Sequence, residues 1–238
     1  MTQKKSAPPQ LPVHQHPQHP ISITDFRRDS SWRIFRIMAE FVDGFQFLAD
    51  YKKTVSMFGS TRFKEKNHHY KEARQLAKRL AKDGFTIVTG GGQGIMEAAN
   101  RGAVEGGGES LGLNIQLPHE QKINPYVLHS TSFHYFFTRK VMLDFAAEAY
   151  VFFPGGYGTL DEFFELIELV QTKKIKKVPI LLVGRDFWAG LIDWFSTQLY
   201  EQHHSIDRSD LDIFRLVDSI DEAYELLRNT PENDGHIT

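Results

Sequence analysis

Twice in this chain a short apolar run breaks into glycines and resumes as a helix, and no other feature constrains the fold as much. Phe85–Thr89 runs into Gly90-Gly91-Gly92-Gln93-Gly94, and a helix follows from Ile95. Ala149–Phe153 runs into Pro154-Gly155-Gly156-Tyr157-Gly158-Thr159, and a second helix follows to about Gln171. Three more short runs, Thr54–Phe58 before Gly59, Ser110–Leu117, and Val178–Val183 before Gly184, read as strands. The patterns 69–82, Phe187–Glu201 and Ile220–Arg228 read as helices. Most of the strand runs are apolar without alternation, as suits strands buried on both faces. Strands alternating with helices predict an α/β fold, a parallel sheet covered on both sides. Ligands of such sheets bind beyond the carboxyl ends of the strands, where the glycine loops lie.

Composition narrows the classes of function. The 28 basic and 30 acidic residues leave a net charge of −2, so no bulk attraction to nucleic acid or anionic lipid is expected. The absence of cysteine excludes disulfides, thiolate metal centres, iron–sulfur clusters and a cysteine nucleophile. No apolar run approaches the roughly 18 residues of a membrane helix, and a soluble, cytoplasmic protein is expected. Residues 1–20 hold five prolines and three histidines and read as a disordered tail, and 231–238 as a flexible C-terminus. Residues 21–230 read as one domain that includes a helix over 30–52. That helix carries a broad apolar stripe: Trp32, Phe35, Ile37, Met38, Phe41, Val42, Phe45 and Leu48. Such a stripe needs cover from the main domain or from a partner subunit.

The two glycine loops suit an anion. Glycine lets backbone N–H groups crowd round it, the helix start adds partial positive charge, and Thr159 offers a hydroxyl. Ile95 and Asp161 stand where G-x-G-x-x-G needs its last glycine, so neither loop is a dinucleotide fingerprint, and no G-x-x-x-x-G-K-[ST] loop exists. The pattern fits one phosphate, as in a nucleoside monophosphate or a phosphosugar. Asp161 and Glu162 open the helix after the second loop. About 100° of rotation per residue allows only one of them to face the cleft, and spacing does not say which. Leu160, Phe163, Phe164, Ile167 and Val170 mark the buried side of that helix. Thr138-Arg139-Lys140 heads another apolar helix, where two cations oppose the dipole, and an anionic ligand would explain them. His68-His69 and His203-His204 read as solvated, and His134, between aromatics, as a packed core residue. No histidine or acidic spacing resembles a metal site, and Lys173–Lys177 reads as a solvated basic loop.

Pro154-Gly155-Gly156-Tyr157-Gly158-Thr159-Leu160-Asp161-Glu162 resembles the PGGxGTxxE signature of the LONELY GUY (LOG) family, cytokinin riboside 5′-monophosphate phosphoribohydrolases formerly labelled lysine decarboxylases. The Gly90–Met96 loop and the Arg139-Lys140 pair fall where that family has its glycine loop and Arg-Lys pair. The opening Ser31–Phe41 looks like the longer bacterial branch. The resemblance spans about residues 30–228. It implies a Rossmann-like, doubly wound parallel sheet, at least a homodimer, and no metal or cofactor. It implies hydrolysis of the N-glycosidic bond of an adenine-type nucleoside 5′-monophosphate, with Arg139 and Glu162 catalytic. Substrate contacts are expected from Gly59, Ser60, Gly91, Gly92, Gly94, Lys140, Gly155, Gly156, Tyr157, Gly158, Thr159, Leu160 and Asp161, and from a glutamate near Glu120-Gln121. Gln93 and Glu168 depart from the family's pattern. The alternatives are a non-catalytic nucleotide or cofactor binder on the same fold, which would not need both Arg139 and Glu162, and a decarboxylase, for which no lysine has an evident claim as a Schiff base.

Overall fold

The computed structural model describes residues 30–116 and 122–230. The expected tail 1–20, the positions Glu120 and Gln121, and the expected flexible end 231–238 lie outside the described residues. The chain parts into two units, 1–36 and 37–238, and the helix α1 (Ser30–Ala49) begins in the first and continues into the second.

The second unit is built on seven strands: β1 (Thr54–Phe58), β2 (Thr86–Thr89), β3 (Ser110–Ile115), β4 (His129–Phe133), β5 (Ala149–Phe152), β6 (Ile180–Val183) and β7 (Arg215–Val217). All neighbours pair in parallel, in the order β4-β3-β2-β1-β5-β6-β7. This is the parallel α/β sheet covered on both faces that the alternation predicts, in the doubly wound, Rossmann-like form that the resemblance implies. The central strands are buried on both faces, which is why their sequences show apolar runs rather than alternation. Residues of one parity, among them Val55, Ile87, Val151 and Leu181, meet α2 (His68–Lys82), α3 (Ile95–Gly106) and α7 (Ile220–Leu227). Residues of the other, among them Phe58, Val88, Phe152 and Leu182, meet α4 (Phe136–Asp144), α5 (Tyr157–Gln171) and α6 (Arg185–Trp194). Local chemistry sets the helix ends. Asn67 caps α2 through its Oδ1 on the His69 N–H at 2.9 Å, and Gly107 stops α3 in a left-handed conformation with φ of 79°.

The sheet turns back between β1 and β5. From β1 the chain works outward through β2, β3 and β4, then returns to β5 on the other side. The loops after these two central strands flank a crevice, the usual ligand position of such a sheet.

Several expectations are corrected. β4 and β7 were not legible as strands: β4 is mostly solvated at the sheet edge and β7 is three residues long, so neither shows an apolar run. The helix expected over Phe187–Glu201 is two pieces, α6 and a π-helical stretch over Phe195–Gln202. His69 is buried rather than solvated, with Nδ1 2.9 Å from Glu72 Oε2. His134 is exposed rather than packed. Phe164 is 41% exposed, because the covered stripe of α5 runs through Glu162, Phe163, Leu166 and Val170 instead.

Candidate active site

Three loops meet at the carboxyl edge of β1, β2 and β5. The Ser60 N–H donates to Pro154 O at 3.0 Å, and the Ile95 N–H donates to Ser60 O at 3.0 Å, so the loop after β1 ties the other two together. Close packing explains the glycines. A Cβ on Gly94, where φ is 71°, would fall 2.2 Å from Ser60 O, and one on Gly91 would fall 1.9 Å from Asn114 Oδ1. A Cβ on Gly155 would fall 2.1 Å from Thr159 Oγ1, which turns that buried threonine back over the loop.

These contacts revise the expected anion cradle. The Gly91 N–H is spent on Thr89 Oγ1 at 2.9 Å and the Ser60 N–H on Pro154, so neither amide is available to a ligand. The Thr159 and Leu160 amides turn back on Gly156 O at 3.0 and 3.1 Å. The amides of Tyr157 and Gly158 stand at the start of α5, where a helix has no carbonyl to offer them. An anion in the crevice therefore meets the helix start with its partial positive charge, rather than a full ring of loop amides.

Arg139 does not sit at the head of its helix, as the sequence suggested. α4 begins at Phe136, and the Glu40 carboxylate of α1 caps its start, accepting from the His134 and Tyr135 N–H groups at 3.0 and 3.3 Å and from the Thr138 hydroxyl at 2.6 Å. Arg139 and Lys140 thus lie in the second turn, beyond the reach of the dipole argument. Another observation points to Arg139. Its Nε donates to Leu113 O on β3 at 2.7 Å, and an Nη lies 2.3 Å from where a Cβ on Gly90 would sit. The guanidinium is laid against the first glycine loop, in space that only glycine leaves open. Burial pulls Arg139 below the usual guanidinium range, and the charge of Glu162 works against that pull.

Of the two adjacent acids, Glu162 is the one turned inward. It is 7% exposed, and its Oε2 is buried with no hydrogen-bond partner among the described residues. Burial pushes its carboxyl up to about 7, against the pull of Lys140 and Arg139. Asp161 is exposed and accepts from Lys140 Nζ at 2.6 Å. Lys140, expected to contact substrate, also pairs with Glu165 at 2.8 Å. Burial works to lower its value, but these two carboxylates outweigh it and hold Lys140 above its ordinary range. Tyr157, Gly156 and Gly158 are exposed at the mouth, and Leu160 is half-buried behind it.

The sequence reading missed Asp144 and Glu165. Both complete an acidic group with Glu162, and carboxylate oxygens of the three lie within 4.8 Å of one another. Helical spacing held the signal, since Asp144 is one turn beyond Lys140, and Glu165 one turn beyond Asp161 and Glu162. A second group of His68, His69 and Glu72 also comes within ligand reach, but Glu72 already engages the buried imidazole. In the first group Glu165 is already paired with the Lys140 ammonium at 2.8 Å. Neither group is assigned a metal.

Comparison with known proteins bears on this geometry. The family model described as "Possible lysine decarboxylase" matches residues 96–227. A probable cytokinin riboside 5′-monophosphate phosphoribohydrolase of Oryza sativa subsp. japonica is 31% identical over 133 residues, 54% of this chain and 53% of that protein. A cytokinin riboside 5′-monophosphate phosphoribohydrolase of the same plant is 33% identical over 119 residues, 48% of each. The chain thus spans about half the length of these two curated relatives. Among solved structures, the molybdenum cofactor binding protein of Rippkaea orientalis superposes with a TM-score of 0.58 at 18% identity, over 74% of this chain and 96% of that one, a likeness of fold.

Proposed function

The chain belongs to the LOG family, whose model carries the description possible lysine decarboxylase, and on that premise we propose that it hydrolyses the N-glycosidic bond of an adenine-type nucleoside 5′-monophosphate, giving free base and ribose 5-phosphate. The observation that carries the reading is the meeting of Arg139 and Glu162 where the chain reverses across the sheet. One half-buried guanidinium lies on the first glycine loop, and one buried carboxylate rises from the helix after the second. A site that only held a nucleotide would not need both the guanidinium and the buried carboxylate.

Each residue has a role that its placement supports. The 5′-phosphate docks at the start of α5, near Tyr157 and Gly158, and binding energy there serves the step at C1′. Cleavage develops positive charge at C1′, and the Glu162 carboxylate stabilises that charge or takes a proton from the attacking water. A carboxyl near 7 is ionised in part at neutral pH and basic enough to accept that proton. The Arg139 guanidinium faces the negative charge of phosphate or departing base. Two copies of the chain, joined in part through the apolar stripe of α1, form the working assembly. Met38 and Val42 on that stripe are more than half exposed.

Purified protein incubated with AMP and with isopentenyladenosine monophosphate, without added metal, should release free base from at least one of them. The matching nucleoside should react far more slowly, because the phosphate dock then holds nothing. Binding of nucleotide with no base release would favour a pure binder. Equal rates on nucleoside and nucleotide would remove phosphate anchoring from the mechanism.

A further inference from the structure

Asp144 is a carboxyl with no role in the reaction described so far. It closes α4, is 5% exposed, and its Oδ1 is buried without a hydrogen-bond partner among the described residues. A buried carboxylate with an unpaired oxygen is a costly arrangement, and a carboxyl that keeps its proton costs less. The groups around it deepen the problem. Lys140 faces it from one turn earlier on α4, Asp161, Glu162 and Glu165 face it from α5, and the Tyr150 hydroxyl of β5 donates to its backbone carbonyl. Four carboxyl groups thus share one ammonium, and that ammonium is already bound by Asp161 and Glu165. Like charges this close do not all ionise.

Position in the helices decides where the proton rests. Asp144 is the last residue of α4, where the negative end of the helix disfavours a carboxylate, whereas Glu162 lies in the N-terminal half of α5 and is attracted by both Lys140 and Arg139. We propose that Asp144 is a positioning residue for Glu162, the carboxyl that keeps the cluster's proton so that Glu162 is the one to ionise. This rests on the reading of Glu162 as the acting carboxylate. Burial, with the charges of Glu165 and Glu162, pushes the Asp144 carboxyl up to about 8. The two carboxyls titrate as a pair. The first proton to leave as pH rises comes mainly from Glu162, and the second from Asp144. Ionisation of Asp144 then adds a second negative charge within carboxylate reach of Glu162, and the added repulsion weakens capture of an anionic substrate in the site.

The full chain labelled with 13C at aspartate carboxyls tests the proton directly, with no substrate present. One aspartate resonance should titrate near pH 8, vanish in Asp144→Asn, and titrate at lower pH in Glu162→Gln, where a neighbouring charge is gone. In the pH profile of kcat/KM for the nucleotide, the alkaline fall above about pH 8 should disappear in Asp144→Asn while the acid limb stays in place. If Asp144→Asn does not fold, the downward move of the high-pH resonance in Glu162→Gln still identifies the pair. The proposal is overturned if every aspartate titrates below pH 5, if the alkaline fall persists in Asp144→Asn, or if the acid limb drops by a full pH unit in that variant. It is equally overturned if chelator removes activity and a divalent cation restores it, since a metal ion would then be neutralising the cluster. A protein that turns over no nucleotide would defeat the functional reading alone, and the titration would still answer for Asp144.

Discussion

Replacing Glu162 by glutamine should lower activity and raise stability, and the second effect depends on pH in a way the structure specifies. Glu162 is 7% exposed and its carboxyl is pushed from an ordinary 4.5 up to about 7, chiefly by burial. The native protein therefore holds this proton more tightly than the unfolded chain. That contribution to stability is complete below about pH 4.5 and is lost as pH rises through 7. A gap of about 2.5 pH units at 1.36 kcal/mol each is about 3 kcal/mol. The attraction of Lys140 and Arg139 is already contained in that gap, and glutamine imitates the protonated acid, so the cations lose nothing further. Urea unfolding of both proteins at pH 5 and pH 8 should show the variant gaining on the wild type by about 2.5 kcal/mol between the two conditions, because at pH 5 the unfolded carboxyl has already lost most of its protons. Any fixed cost of burying the amide cancels in this comparison. Loss of a like charge beside Asp144 acts in the same direction at alkaline pH. Base release should meanwhile fall by on the order of 10²-fold or more. Equal stability differences at pH 5 and pH 8 would refute the claim that Glu162 is a buried, penalised charge. Turnover near that of wild type would remove it from the chemistry.

Other expectations follow from single contacts. Gly90→Ala puts a methyl where an Arg139 Nη lies, so the guanidinium must swing away, and turnover should fall by on the order of 10²-fold with the melting temperature little changed; a variant of normal activity would detach Arg139 from this loop's function. Gly94→Ala meets backbone at Ser60 O and must hold a φ of 71°, so calorimetry should register a loss of about 1–3 kcal/mol or more. Glu148→Ala removes the acceptor of the buried Thr54 N–H at 2.7 Å and of its hydroxyl at 2.6 Å, a cost of about 1–3 kcal/mol by urea unfolding. Light scattering at micromolar concentration should report a dimer or a multiple of dimers, and a monomer would refute the assignment of α1 to an interface between copies.

Much of the architecture is legible in the sequence, because its causes are local. The central strands of a doubly covered sheet must be apolar on both sides, and they are. The glycines after β1, β2 and β5 mark turns where a Cβ would strike Ile95, Ser60 or Thr159, so residue type and position carry the signal together. It is the resemblance to a known signature that singles out Arg139 and Glu162 in the sequence. The edge strands β4 and β7 are not legible, since an edge needs no apolar run to pair with its neighbour. Nor does any count of charges reveal which of Asp161 and Glu162 turns inward. That depends on how α5 is rotated against α4 and the sheet, a matter of tertiary packing rather than of local sequence. The same packing gathers Asp144, Glu162 and Glu165 round one lysine and thereby determines where protons rest, because the energy of a buried charge depends on every neighbour brought to it and not on its own position in the sequence.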